Sequence, residues 1–155
     1  MKILVGISCV PDTTSKIEFV EGDTQFDTSG IQFIINPNDE FGLTRAVRFQ
    51  QELGAQLTVV TVGEANVEPI LRKCLAIGAD KAIRIDSVAK DGFFVAQQLA
   101  ALCKKNEYDL IFVGRESIDY NGGMVGGMLA ALLEYPYVTN CVGMTLASNE
   151  ANLQR

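Results

Sequence analysis

Four short apolar runs, each about the length of one strand, leave this chain few ways to fold. They cover residues 2–10, 56–62, 82–85 and 109–113, and the segments between them carry helical periodicity. A strand covered on both faces reads as a continuous apolar run, whereas a half-exposed strand alternates. Val67, Ile70, Leu71, Cys74 and Leu75 recur at the i, i+3, i+4, i+7, i+8 spacing of a helix that buries one stripe. A second helix is expected over residues 91–103. A third is expected to start after Pro37, which disfavours helix at Asn36, with Asn38 or Asp39 as its cap and Leu43, Ala46, Val47 and Leu53 as its inner face. Gly54 and Gly78 mark helix ends. Strand–helix alternation with short connections predicts an α/β fold: a Rossmann-like, doubly wound, mostly parallel sheet with helices on both faces.

The remaining segments are read as additions to that frame. Residues 16–20 and 24–27 suggest a small N-terminal β-hairpin insertion that turns at Glu21-Gly22-Asp23 and buries Ile17, Phe19 and Phe26. Residues 31–35 form a short strand leading to Asn36-Pro37, and residues 137–146 a final one. The expected organisation is a nucleotide-binding α/β domain over residues 1–146. A polar tail without a closing element follows over residues 147–155 and leads to a C-terminal segment absent from this chain.

One stretch calls for a chemical explanation. After the run ending at Val113, Gly114 opens a polar loop, and Gly122, Gly123, Gly126 and Gly127 then fall in what should be the first two turns of a helix. Each glycine costs a helix roughly 1 kcal/mol relative to alanine. Close approach of a ligand explains them, because unpaired N–H groups at a helix N-terminus attract anions and absent Cβ atoms let a phosphate reach them. Tight packing on the sheet or on another subunit is the alternative. In a doubly wound sheet, ligands sit at the carboxyl ends of the strands near the switch point. The loops at residues 6–12, 62–63 and 114–127 would meet there.

Composition removes several classes of function. With 13 basic and 19 acidic residues the net charge is −6, and the basic residues are scattered, so no nucleic-acid face is expected. The chain contains no histidine, which rules out a Ser-His-Asp triad and a histidine-ligated metal. Cys9, Cys74, Cys103 and Cys141 form no CxxC pair and read as reduced thiols of a cytoplasmic protein. Without a histidine to activate it, Cys9 is not read as a nucleophile. No apolar run approaches the ~18 residues of a membrane span, so no membrane insertion is expected.

Taken together, Gly6 to Asp12 with its Val-Pro-Asp, the Asn36-Pro37 helix entry, Gly78-Ala79-Asp80, and Gly114-Arg-Glu-Ser-Ile-Asp119 before a glycine-rich segment resemble the electron transfer flavoprotein beta subunit. The resemblance runs from Met1 to about Leu146. It implies an electron-carrier subunit, not an enzyme, that binds AMP as a structural nucleotide. It also implies a heterodimer with an alpha subunit carrying most of the redox FAD, serving flavin dehydrogenases such as acyl-CoA dehydrogenases. By the same resemblance, the AMP-binding positions are Gly6, Asn36, Pro37, Asn38, Asp39 and Val62. To these it adds Asp119, Tyr120, Asn121, Gly122, Gly123, Met124, Val125, Gly126, Gly127, Met128, Leu129 and Ala130. Where the family carries polar side chains before the helix, this chain has Gly122, Gly123 and Met124, so phosphate binding would rest on backbone N–H groups.

Two other readings stay open: a stand-alone, stress-protein-like adenine-nucleotide domain, and a bifurcating-type subunit with a second FAD in the AMP site. Individual residues also have plainer roles. Asp119 can cap a helix, Arg115 can pair with Glu116, and Asn36 can satisfy the turn before Pro37.

Overall fold

The computed structural model describes residues 1–147 and 150–155. Its frame is a four-stranded parallel sheet of β1 (Lys2–Gly6), β6 (Gln56–Val62), β7 (Lys81–Ile85) and β8 (Leu110–Phe112), in the spatial order β7-β6-β1-β8. The small strands β2 (Cys9–Pro11), β3 (Phe19–Val20), β4 (Gln25–Phe26) and β5 (Phe33–Ile35) lie outside this sheet, as do β9 (Gly143–Ala147) and β10 (Glu150–Gln154). Among the described residues, four α-helices complete the frame, α1 (Pro37–Leu53), α2 (Glu68–Ile77), α3 (Gly92–Asn106) and α4 (Val125–Leu133), with a 3-10 turn over Ala65–Val67 leading into α2.

Period-two geometry sends alternate strand residues to opposite faces, and both faces are filled. Ile3, Val5, Leu57 and Val59 pack with Leu43, Ala46 and Phe49 of α1 and Ile70, Leu71 and Cys74 of α2. Leu4 and Val60 pack with Ala96, Leu99 and Cys103 of α3 and Leu129 of α4. The result is the expected Rossmann-like three-layer arrangement. Acidic residues pin the strand entries: the Asp80 carboxylate accepts from the Leu57 amide at 2.7 Å, and that of Asp109 accepts from Lys2 at 2.7 Å. The Gly-Ala-Asp motif thus works at the end of the sheet opposite the carboxyl edge.

Several boundaries differ from the sequence reading. The first apolar run breaks into β1 and β2, and β2 leaves the parallel sheet to pair antiparallel with β5. The hairpin of β3 and β4 forms, but Ile17 and Phe19 are exposed. Two residues per strand give it no sheet face to pack upon, and Phe19 meets Phe26 edge-on instead. Leu53 is exposed at the last turn of α1, and Leu75 is exposed on α2. Helix α1 begins at Pro37 with Asn36 as its N-cap, two to three residues before the expected cap at Asn38 or Asp39; proline suits a first helical turn because its missing N–H would have no partner there. The glycine-rich helix begins at Val125, so Gly122 and Gly123 belong to the preceding loop. The final strand occupies Gly143–Ala147, and residues 137–142 form no strand. The tail, expected to lack a closing element, supplies β10, which pairs antiparallel with β9. Ser148 and Asn149, part of that expected tail, lie outside the described residues. Among the described residues, no helix is long and apolar enough to cross a membrane.

Candidate functional site

The sheet order places β6 and β8 on either side of β1, so the chain departs from β1 in opposite directions. A crevice is forced open at the carboxyl ends of such strands. A cleft of about 320 Å³ lies there, within the ordinary range for small-molecule sites. Its floor is the strand ends Gly6, Val60 and Val62 and the residues just beyond, Ile7, Ser8 and Cys9.

Asp39 builds the junction between β1 and β8. It sits in the first turn of α1, where a carboxylate is favoured by the helix dipole. Its Oδ2 accepts from the Ser8 amide at 2.7 Å and its Oδ1 from the Gly114 amide at 2.8 Å. One side chain therefore ties the loop after β1 to the loop after β8. Burial pushes the Asp39 carboxyl up to about 6, against the hydrogen bonds from Ser8 and Gly114, which favour the ionised form.

Asn36 holds the same region from the other side of the helix entry. Its Nδ2 donates to the Glu116 carbonyl at 2.8 Å, and its Oδ1 accepts from the Ile118 amide at 3.3 Å. Asn38 Nδ2 donates to the same carbonyl at 3.1 Å. The Asn36 amide is thereby committed to the 116–118 backbone, which explains why it caps α1 without a side-chain bond. Beyond Glu116 the loop closes on itself: the Ser117 amide donates to the Gly122 carbonyl at 3.0 Å. Asp119 accepts from Ser117 Oγ and from the Tyr120 amide, so its carboxylate serves its own loop instead of capping α4. Arg115 pairs with Glu116 at 2.5 Å.

Of the residues singled out in the sequence, Gly6, Asn36, Asp39, Val62, Asp119, Tyr120, Gly122, Gly123 and Val125 line the cleft. Pro37, Asn38, Asn121, Met124, Gly126, Gly127, Met128, Leu129 and Ala130 are not among the lining residues. Leu129 is buried in the core, and Asn121 turns the loop at φ 56°. The sequence reading did not single out the wall formed by Glu64, Asn66 and Val67, nor Val88 and Ala89 opposite. The first wall follows directly from Gly63, and that adjacency was its one signal; the second sits in a connection with no pattern of its own.

The glycines have packing partners as well as a place at the rim. A Cβ on Gly126 would lie 2.9 Å from Val113 Cγ2 and 3.2 Å from the Tyr137 ring. One on Gly123 would lie 3.2 Å from the Arg115 carbonyl, and one on Gly122 would run into the Tyr120 ring. Gly127 has only an ordinary 3.7 Å contact with Tyr137.

Asp39, Glu64, Glu116 and Asp119 line the cleft against a single basic residue, Arg115. An anionic ligand there depends on backbone N–H groups, and Val125, the first residue of α4, brings the start of that helix to the cleft. Val62, Val95, Leu99 and Val113 supply apolar wall for a flat ring. The residues present thus fit a mononucleotide: apolar surface for a base and helix N–H groups for one phosphate. Among the described residues, no cluster of three or more Cys, Asp or Glu side chains is placed to hold a metal ion.

Comparison with known proteins gives one consistent result. Residues 23–155 match the electron transfer flavoprotein domain family. The chain is 35% identical over 142 residues to the electron transfer flavoprotein subunit beta of Thermoanaerobacterium thermosaccharolyticum, covering 90% of this chain and 54% of that protein. It is 34% identical to the subunit beta of Bacillus subtilis, covering 100% and 61%. It is also 33% identical to the acryloyl-CoA reductase electron transfer subunit gamma of Anaerotignum propionicum, covering 93% and 56%. The chain spans little more than half the length of these curated relatives.

Proposed function

This chain belongs to the electron transfer flavoprotein family, as a relative of its beta subunits, and from that premise we propose that it binds AMP in the cleft and pairs with an FAD-carrying alpha subunit. The pair shuttles electrons in the cytoplasm from flavin dehydrogenases, such as acyl-CoA dehydrogenases, to an acceptor. The flavin supplies the redox chemistry. This chain's part is to bind, orient and carry, so it acts as an electron-carrier subunit and not as an enzyme.

The observation that supports this reading best is the cleft at the β1–β8 switch point, with the N-terminus of α4 on its rim. Its volume of about 320 Å³ is that of a small-molecule site, and we take AMP, not a second FAD, as its ligand. AMP here is structural: it fills the crevice and joins the loops after β1, β6 and β8 through one ligand.

The test is co-expression with the alpha subunit, purification of the complex and identification of what denaturation releases. One AMP and one FAD per heterodimer is the expected result. Two FAD and no AMP would mean the bifurcating type, and release of no nucleotide would end the AMP reading.

A further inference from the structure

We propose that Arg84 is a positioning residue for the nucleotide cleft, gripping both ends of the wall that runs from β6 to α2. The proposal rests on the nucleotide-binding reading above. That wall contributes Gly63, Glu64, Asn66 and Val67 to the cleft, and it is a short connection built on a 3-10 turn over Ala65–Val67. At its start, Arg84 Nη1 donates to the Gly63 carbonyl at 3.1 Å. At its end, Arg84 Nε lies 3.5 Å from Glu68 Oε1, the first residue of α2. Asp86 on the same guanidinium, 2.5 Å from Nη1, holds the fork in place.

The backbone of the connection makes hydrogen bonds of its own. The Gly63 amide donates to the Ile85 carbonyl, and the Val67 amide donates to the Glu64 carbonyl at 3.2 Å. Arg84 is the side chain that ties the two ends together; it is only 23% exposed, while its partners Glu68 and Asp86 are open to solvent. A planar fork can bond a carbonyl and a carboxylate at once, whereas a lysine ammonium acts as one point charge. The geometry of the wall therefore depends on arginine as such, and so does its fit against a bound nucleotide.

Arg84→Met and Arg84→Lys test this with two readouts: AMP affinity by calorimetry and amide hydrogen exchange across the intact chain. Both variants should weaken AMP binding about tenfold, equivalent to one lost contact of about 1.4 kcal/mol. Both should also speed exchange at residues 64–67 while leaving β1 unchanged. Wild-type affinity in both variants would overturn the proposal. So would full recovery in Arg84→Lys, because net charge and not the two-ended grip would then be the cause. If the wild-type chain takes up no AMP, the nucleotide reading fails on its own. Exchange at residues 64–67 still decides the grip in that case, with faster exchange supporting it and unchanged exchange overturning it.

Discussion

The Asp39 carboxylate and the Gly114 amide are 75 residues apart in the chain and 2.8 Å apart in space. A Cβ on Gly114 would overlap Asp39 Oδ1 and crowd the Asn38 backbone, which it would approach to 3.1 Å. Glycine is required at 114 because another side chain already occupies its Cβ position. The same carboxylate reaches the Ser8 amide, so the geometry of the switch point depends on one buried acid and one missing methyl group.

Gly114→Ala should therefore destabilise the fold. Forcing Asp39 away leaves a buried acceptor short of a partner, which costs about 1–3 kcal/mol. Urea unfolding would show a lower midpoint at unchanged slope, and a midpoint equal to wild type would mean that the loop yields freely.

Asp39 also sets a pH dependence. Its folded carboxyl lies at about 6 against an ordinary value of 3.8, so the folded state holds this proton more tightly than the unfolded chain does. The contribution to stability is fully present below about pH 3.8 and is lost as pH rises through about 6, amounting to about 3 kcal/mol. Asp39→Asn has no such proton. The difference in unfolding free energy, wild type minus variant, should fall from pH 4 to pH 7; a flat difference would contradict the assigned burial effect.

The glycines of α4 should separate by what surrounds them. Gly127→Ala meets no close neighbour and should gain up to about 1 kcal/mol from helix propensity. Gly126→Ala must displace Val113 or the Tyr137 ring, and overpacking of about 1–3 kcal/mol should outweigh the same gain. Denaturant midpoints moving in opposite directions are the expected result. Equal stabilisation of both would show that Val113 and Tyr137 yield without cost.

These contrasts also show what the sequence could and could not disclose. The parallel sheet was legible because apolar runs and helix stripes are local patterns, and the three loops at its carboxyl edge followed from topology. The bonds from Asp39 to Ser8 and Gly114 join distant positions, and nothing near Asp39 distinguishes it from an ordinary acidic residue in a first helical turn. Asn36 was legible as a helix entry, but its grip on Glu116 is likewise long-range. Phe19 looked like a core residue because its β pattern is sound; burial needs a surface to pack on, and its two-residue strand provides none. The start of α4 is not legible because glycine obscures a helix boundary, nor is β10, whose residues are all exposed and lack the apolar run of a buried strand.

Thiol reactivity tests the core and the cleft together. Cys74 and Cys103 are buried and pushed up to about 11, so at pH 8 only about one part in a thousand is thiolate, and both should resist alkylation until the chain unfolds. Cys141 is exposed and should react first. Cys9 is half-buried on the cleft floor, its thiol raised by burial, and should react slowly. If AMP occupies the cleft, it should slow Cys9 further and leave Cys141 unaffected, a pattern readable by mass spectrometry of alkylated peptides at successive times. Equal protection of both thiols would point to a general tightening of the fold, and no protection of Cys9 would mean that the ligand lies away from the end of β1.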